Sequence, residues 1–300
     1  LEKLAFATLQ EQQVARRWKS GFRLAWLLFV VVVFALLWSY NTPTASPSAP
    51  HTAMVAIKGE IASEGDGSAE NVMAAMRSAL EDSGSRALVL LINSPGGSPV
   101  QAGLINDEIH RLRKLHHKPI YAVVEESCAS AAYYIAAATD EIYVDKASIV
   151  GSIGVLMDGF GFTGLMDKLG VERRLMTAGE NKGFLDPFSP QTVAQRKHAQ
   201  AMLNLIHEQF IGAVKAGRGH RLKETPDMFS GLFWTGQQAV DMGLADALGS
   251  LDSVARDVVK ASDVIDYTRH ENVAERLAKR FGAALGEASV KAMRQSVVLR

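Results

Sequence analysis

Apolar residues fall into three patterns along this chain. From Leu24 to Tyr40 they form an unbroken run, LAWLLFVVVVFALLWSY, with no charge and no polar face. Between Met54 and Val214, short continuous runs alternate with stretches in which apolar side chains recur at helical spacing. From Asp263 onward they recur at helical spacing inside a strongly charged segment.

The first pattern predicts a transmembrane signal-anchor helix over residues 24–40. As a helix the run extends roughly 25 Å, enough for a thin or locally adjusted bilayer. Arg16, Arg17, Lys19 and Arg23 precede it, and Trp38 and Tyr40 close it as interfacial aromatics. Residues 1–23 are then cytoplasmic, and everything after Tyr40 lies on the far side. A cleaved secretory signal is the competing reading, because small residues follow in TASPSA, although the preceding segment is long for an n-region. A buried soluble helix would need a polar face. Residues 41–50, NTPTASPSAP, can neither build a core nor continue a helix, and read as a spacer.

The second pattern predicts an α/β domain over residues 51–262. Strands are expected at Met54–Ile57, Ala87–Ile92, Ile120–Val124 and Glu141–Val144. Between them lie a helix with Val72, Met76 and Leu80 on one face, and one from Ser98 with Ile105, Ile109 and Leu112 inward. Ser98 is a plausible N-cap, with Pro99 at the first helical position. A small-residue helix starts near Ser130. A long one is marked by Val193, Leu203, Ile206, Phe210 and Val214, ending at Gly217–Gly219. Continuous apolar strands between helices indicate a mostly buried sheet. The tail, residues 263–300, places Val273, Leu277, Phe281 and Leu285 at helical spacing, either as an amphipathic appendage or as a frayed polar end.

Composition narrows the function classes. An apolar fraction of 48% with 21% charged residues excludes a disordered tether. Lys plus Arg (32) equals Asp plus Glu (32), which leaves no bulk electrostatic case for nucleic acid. The single cysteine, Cys128, cannot form an intrachain disulfide, and no Cys/His spacing suggests a metal site.

Two strand-to-helix turns could carry chemistry. In Asn93-Ser94-Pro95-Gly96-Gly97-Ser98 the paired glycines let backbone N–H groups turn toward an oxyanion or phosphate, but neither a P-loop nor a dinucleotide fingerprint is present. Taken alone it is as readily a structural turn. In Ser127-Cys128-Ala129-Ser130-Ala131-Ala132-Tyr133-Tyr134, a hydroxyl would face outward from a helix start lined by small side chains. Ser130 is then either a nucleophile or a helix cap. Cys128, with no evident His partner, reads as a small buried filler. The eight histidines lie in the linker or on helix faces and ends, so a Ser-His-Asp triad has no support. Lys182 lies in Thr177-Ala178-Gly179-Glu180-Asn181-Lys182-Gly183-Phe184-Leu185. Burial against the apolar residues behind it would favour a neutral amine able to act as base, whereas in a solvated loop it is an ordinary surface charge.

The ordered set LINSPGGS, SCASAAYYIAAATDEIYVD, SIVGSIGV, TAGENKG and FWTGQQAVDMGLADALG resembles the signal peptide peptidase A family over roughly Met54–Val254. The resemblance implies an α/β, Clp-protease/crotonase-like ββα superhelix, a single catalytic domain behind one transmembrane helix. It implies Ser130 as nucleophile, Lys182 as general base, Ser152 as a lysine-orienting residue, and backbone amides of Gly97 and Ala131 as the oxyanion hole. It also implies no metal or organic cofactor, hydrophobic peptides such as remnant signal peptides as substrates, and a homo-oligomeric ring in which Lys182 can serve Ser130 of an adjacent subunit. The catalytic domain would stand on the extracytoplasmic side of a bacterial inner membrane. One departure is Ala131-Ala132, where the family has two glycines; the N–H groups survive, but a methyl group intrudes. The alternatives are a crotonase-like acyl-CoA enzyme and a non-catalytic membrane scaffold.

Overall fold

The computed structural model describes Trp18, residues 24–33 and residues 49–270. The chain divides into two units, Leu1–Pro47 and Ser48–Arg300. In the first, residues 24–33 form a helix (α1) whose side chains are all exposed. The rest of the expected span, residues 34–40, lies outside the described residues. Among those described, no helix is long and apolar enough to cross a membrane. The periodic positions Val273 to Leu285 of the tail also lie outside them.

The second unit is built on an eight-stranded sheet of order β6-β5-β3-β2-β1-β8, with β4 beside β3 and β7 beside β4. The central strands are β1 (His51–Lys58), β2 (Ser85–Ser94) and β3 (Ile120–Ala129), all parallel. β3 pairs with β4 (Glu141–Val144) along its first half and with β5 (Ile149–Gly151) at its end. β6 (Phe233–Thr235) adds to β5 antiparallel, and β7 (Ala247–Leu248) and β8 (Val264–Asp266) add in parallel. The sheet thus takes in residues beyond the expected domain end at 262. The sheet is mixed and mostly parallel, consistent with the Clp-protease/crotonase-type fold.

Both faces of the sheet are covered, which explains the unbroken apolar run of β2. Leu88, Leu90 and Ile92 join Val55, Ile57, Ala122 and Val124 beneath helices α2 (Ala69–Glu81), α3 (Pro99–His116) and α4 (Ala131–Ala136). Val89, Leu91, Val123 and Tyr143 point the other way and pack with Val254, in the short helical segment that follows β7. The expected inward faces of α2 and α3 are the buried ones. Ser98 caps α3, accepting from the Gln101 N–H, with Pro99 in the first turn.

After Ile153 the chain leaves this core. The following stretch includes α5 (Thr163–Leu169), and it returns as α6 (Val193–Arg218). No residue from 154 to 209 is buried. Within α6 only Phe210, Val214 and Arg218 are buried; of the other residues that marked this helix, Val193 is exposed, and Leu203 and Ile206 are only half-covered. Among the described residues, therefore, nothing buries the first half of α6, although Leu203 and Ile206 are half-covered. We call residues 154–206 the arm.

The second half of α6 is secured by an ion pair. The Arg218 guanidinium is fully buried and reaches Asp246 at 2.7 and 2.9 Å. Burial works against the Asp246 carboxylate, but Arg218, the Ile142 N–H and Arg221 outweigh it and hold the carboxyl below its ordinary range. A carboxyl depressed in the folded state stabilises fully above its unfolded pKa of about 3.9, and that contribution is lost as pH falls through the lower folded value. Asp246→Asn leaves a buried cation without its carboxylate and is expected to cost about 3–5 kcal/mol. Urea melts at pH 7 check the loss. The difference between variant and wild type should narrow below about pH 4 as the native carboxylate protonates.

Candidate active site

The Ser130 turn follows from two incompatible demands on one residue. Its N–H continues the β3–β5 ladder by donating to the Gly151 carbonyl at 2.8 Å, while its own carbonyl accepts from the Tyr134 N–H at 3.0 Å and opens α4. Strand becomes helix at a single residue, which forces Ser130 to φ 53°, ψ −122°. That conformation is close to glycine-only and costs about 1–3 kcal/mol in any other residue. Ser130 occupies the N-cap position of α4, yet its side chain makes no capping bond. The helix-cap reading therefore fails. The hydroxyl is half-exposed and, among the described residues, has no hydrogen-bond partner. Cys128, two residues earlier, is fully buried, and burial pushes its thiol far above the ordinary range. It is a core filler rather than a nucleophile.

The glycine turn after β2 lies directly against Ser130. A Cβ on Gly96 (φ 110°) would stand 2.7 Å from the Ser130 Cβ, so the approach requires glycine on both steric and conformational grounds. Ile61 brackets the turn: its N–H donates to the Gly96 carbonyl at 2.9 Å, and its carbonyl accepts from the Ser98 N–H at 2.7 Å. Gly97, exposed between them, has an N–H that donates to no carbonyl among the described residues. The Ala131 N–H, at the first helical position, is equally unused. Two free backbone donors thus flank the serine turn. The methyl group of Ala131 is turned into the core and is 4% exposed, which removes the expected intrusion.

Ser152 joins the same cluster. Gly151 pairs with Ala129, so the next residue, Ser152, stands opposite Ser130. It also takes a positive φ (50°), with its N–H on the Leu232 carbonyl at 2.8 Å and its hydroxyl unpaired among the described residues. The Trp234 ring covers Gly151, where a Cβ would meet its Cδ1 at 3.1 Å. The Trp234-Thr235-Gly236 segment itself is a strand end running into α7 (Gly236–Asp241), with Thr235 in a capping box.

Lys182 does not join them. It sits in a chain of turns in the arm, exposed, and its ammonium makes no hydrogen bond or ion pair among the described residues. Of the two readings of its loop, the described residues show the exposed one: Phe184 and Leu185 are themselves half-buried, and Phe184 packs edge-on to His198 at 5.6 Å rather than over the lysine. The arm that carries it is unusually apolar for a surface, with Leu156, Phe160 and Met176 81%, 82% and 94% exposed. A cavity of about 600 Å³ lies within the arm, between its loops and the first half of α6, lined by Met157, Phe160, Phe162, Leu185, Pro187 and Leu203.

One contact was not foreseen. His207 of α6 donates from Nε2 to the Ile153 carbonyl at 3.0 Å, next to Ser152. The signal was present: His207 follows Leu203 by four and precedes Phe210 by three, which puts a polar ring on the apolar face, where it needs a partner.

Comparison with known proteins agrees with this architecture. Residues 113–264 match peptidase family S49. A putative protease of Synechocystis is 30% identical over 217 residues, covering 72% of this chain and 74% of the relative. A putative signal peptide peptidase SppA of Enterococcus faecium is 29% identical over 199 residues, 66% of this chain and 58% of that protein. A Brucella abortus protein named Na(+)/H(+) antiporter NhaA is 47% identical over 181 residues, 60% of this chain. The match spans only 25% of the Brucella protein. A strained, uncapped serine between free backbone donors is what a serine hydrolase requires, and the chain belongs to the serine peptidase family S49.

Proposed function

We propose that this chain is a membrane-anchored serine endopeptidase using a Ser130–Lys182 dyad. The observation that carries the reading is the backbone of Ser130: strain held at a residue whose side chain does nothing for the fold points to use of that side chain. Ser130 Oγ attacks a peptide carbonyl, and the Gly97 and Ala131 N–H groups receive the developing oxyanion. Lys182 takes the serine proton, passes it to the leaving amine, and then activates water for deacylation. Ser152 orients the amine.

A lysine accepts that proton only as the neutral amine, and burial is what favours this form. Among the described residues Lys182 is exposed, and nothing covers the apolar arm that carries it. A second copy of the chain supplies both, so the functional unit is a homo-oligomer, a ring, with Lys182 serving Ser130 of its neighbour. The apolar run 24–40 is the anchor, and the peptidase unit stands on the extracytoplasmic side of a bacterial inner membrane. There its substrates are hydrophobic peptides, remnant signal peptides foremost. The similarity to a putative signal peptide peptidase supports the substrate class.

A fluorophosphonate, which reacts only with activated serines, tests the reading. Peptide mapping of the labelled protein is expected to place one adduct on Ser130, with none in Ser130→Ala. An adduct on another serine, persisting in Ser130→Ala, would remove Ser130 from the reaction.

A further inference from the structure

We propose that His207 is a positioning residue for the reaction, a latch that pins together the two ends of the arm carrying Lys182. The proposal rests on the dyad reading above. Ile153 is the last buried residue before the arm, and Phe210 is the first buried residue after it. The His207 bond to the Ile153 carbonyl, at 3.0 Å, therefore joins the exit of the arm to its return. Among the described residues, no other side-chain hydrogen bond links residues 154–209 to the rest of the domain.

The geometry defines the role of each partner. A carbonyl only accepts, so Nε2 carries the proton, and the ring can donate whether neutral or protonated. On one side the latched carbonyl adjoins Ser152, whose N–H is held by Leu232 at 2.8 Å. On the other side Gly154 closes on Gly231, where a Cβ would come within 2.9 Å of the Gly231 Cα. On α6, Phe210 beside the latch packs on Tyr134 of the nucleophile helix, ring centroids 5.2 Å apart. His207 thus ties the arm to the Ser152 turn at the point where α6 also touches the helix behind Ser130. One such bond adds little to global stability. A displacement of about 1 Å at a reacting group, by contrast, can cost on the order of 100-fold in rate.

The test uses the full chain and a pair of isosteric variants. His207→Gln keeps an N–H donor of similar reach; His207→Glu has the same shape but presents a carboxylate to a carbonyl. With a peptide substrate, His207→Glu is expected to lose about 10- to 100-fold in kcat with KM changed less than about 3-fold, and His207→Gln to stay within about 5-fold of wild type. Val214→Ala, at a buried α6 residue outside the latch, is the packing control: it should lower the thermal midpoint at least as much as His207→Glu while keeping turnover near wild type. Equal turnover in the Gln and Glu variants, or an equal kcat loss in Val214→Ala, overturns the latch. Lys182→Ala separates the two readings. If it is dead while His207→Glu is active, the latch is wrong; if it keeps turnover, the dyad falls and the latch with it.

Discussion

Replacing Ser130 by glycine is expected to abolish peptide hydrolysis while leaving the protein more stable than Ser130→Ala by about 1 kcal/mol. Alanine retains the cost of holding φ 53°, ψ −122° in a residue with a Cβ, about 1–3 kcal/mol. Glycine sheds that cost but loses about 0.5–1 kcal/mol more in chain entropy on folding. Turnover should fall by about 10⁴-fold or more in both variants, because the site loses the one hydroxyl held on the strained turn beside the Ala131 amide. Thermal melts and hydrolysis of a hydrophobic peptide measure the two effects on the same samples. Opposite movement of activity and stability at one position is the signature of a strained functional site. A glycine variant less stable than the alanine variant would mean the turn is not strained, and turnover in either variant would mean that another residue attacks.

Much of the fold was legible because the sheet is buried on both faces. That burial produces continuous apolar runs such as Ala87–Ile92, which are too short for a buried helix and so read as strands. Helix starts were legible where a side chain does the capping, as Ser98 does for α3. At Ser130 the same signal misleads. The sequence places a serine before a helix, but only backbone dihedrals distinguish a cap from a nucleophile held in strain. The positive φ of Ser152 was hidden in the same way, since the adjacent Gly151 accounts for the turn in the sequence.

The lysine exposes a different limit. Apolar neighbours predict burial only when the chain itself provides a surface to bury against. Phe184 and Leu185 turn inward under the Lys182 turn, while Leu156, Phe160 and Met176 remain open to solvent. Helical periodicity in α6 likewise marked an apolar face, but among the described residues nothing buries its first half. Sequence pattern reports which face is apolar, not which molecule covers it.

The central claim is that Ser130 and Lys182 form one catalytic unit completed between copies of the chain, and subunit mixing tests it most directly. Ser130→Ala and Lys182→Ala are each expected to be inactive alone. After co-assembly in equal amounts, with exchange confirmed by differential tagging, sites that pair an intact serine with a neighbour's intact lysine should restore roughly a quarter of wild-type turnover, as random assortment allows. Inactive mixed assemblies, despite confirmed exchange, would contradict the shared site.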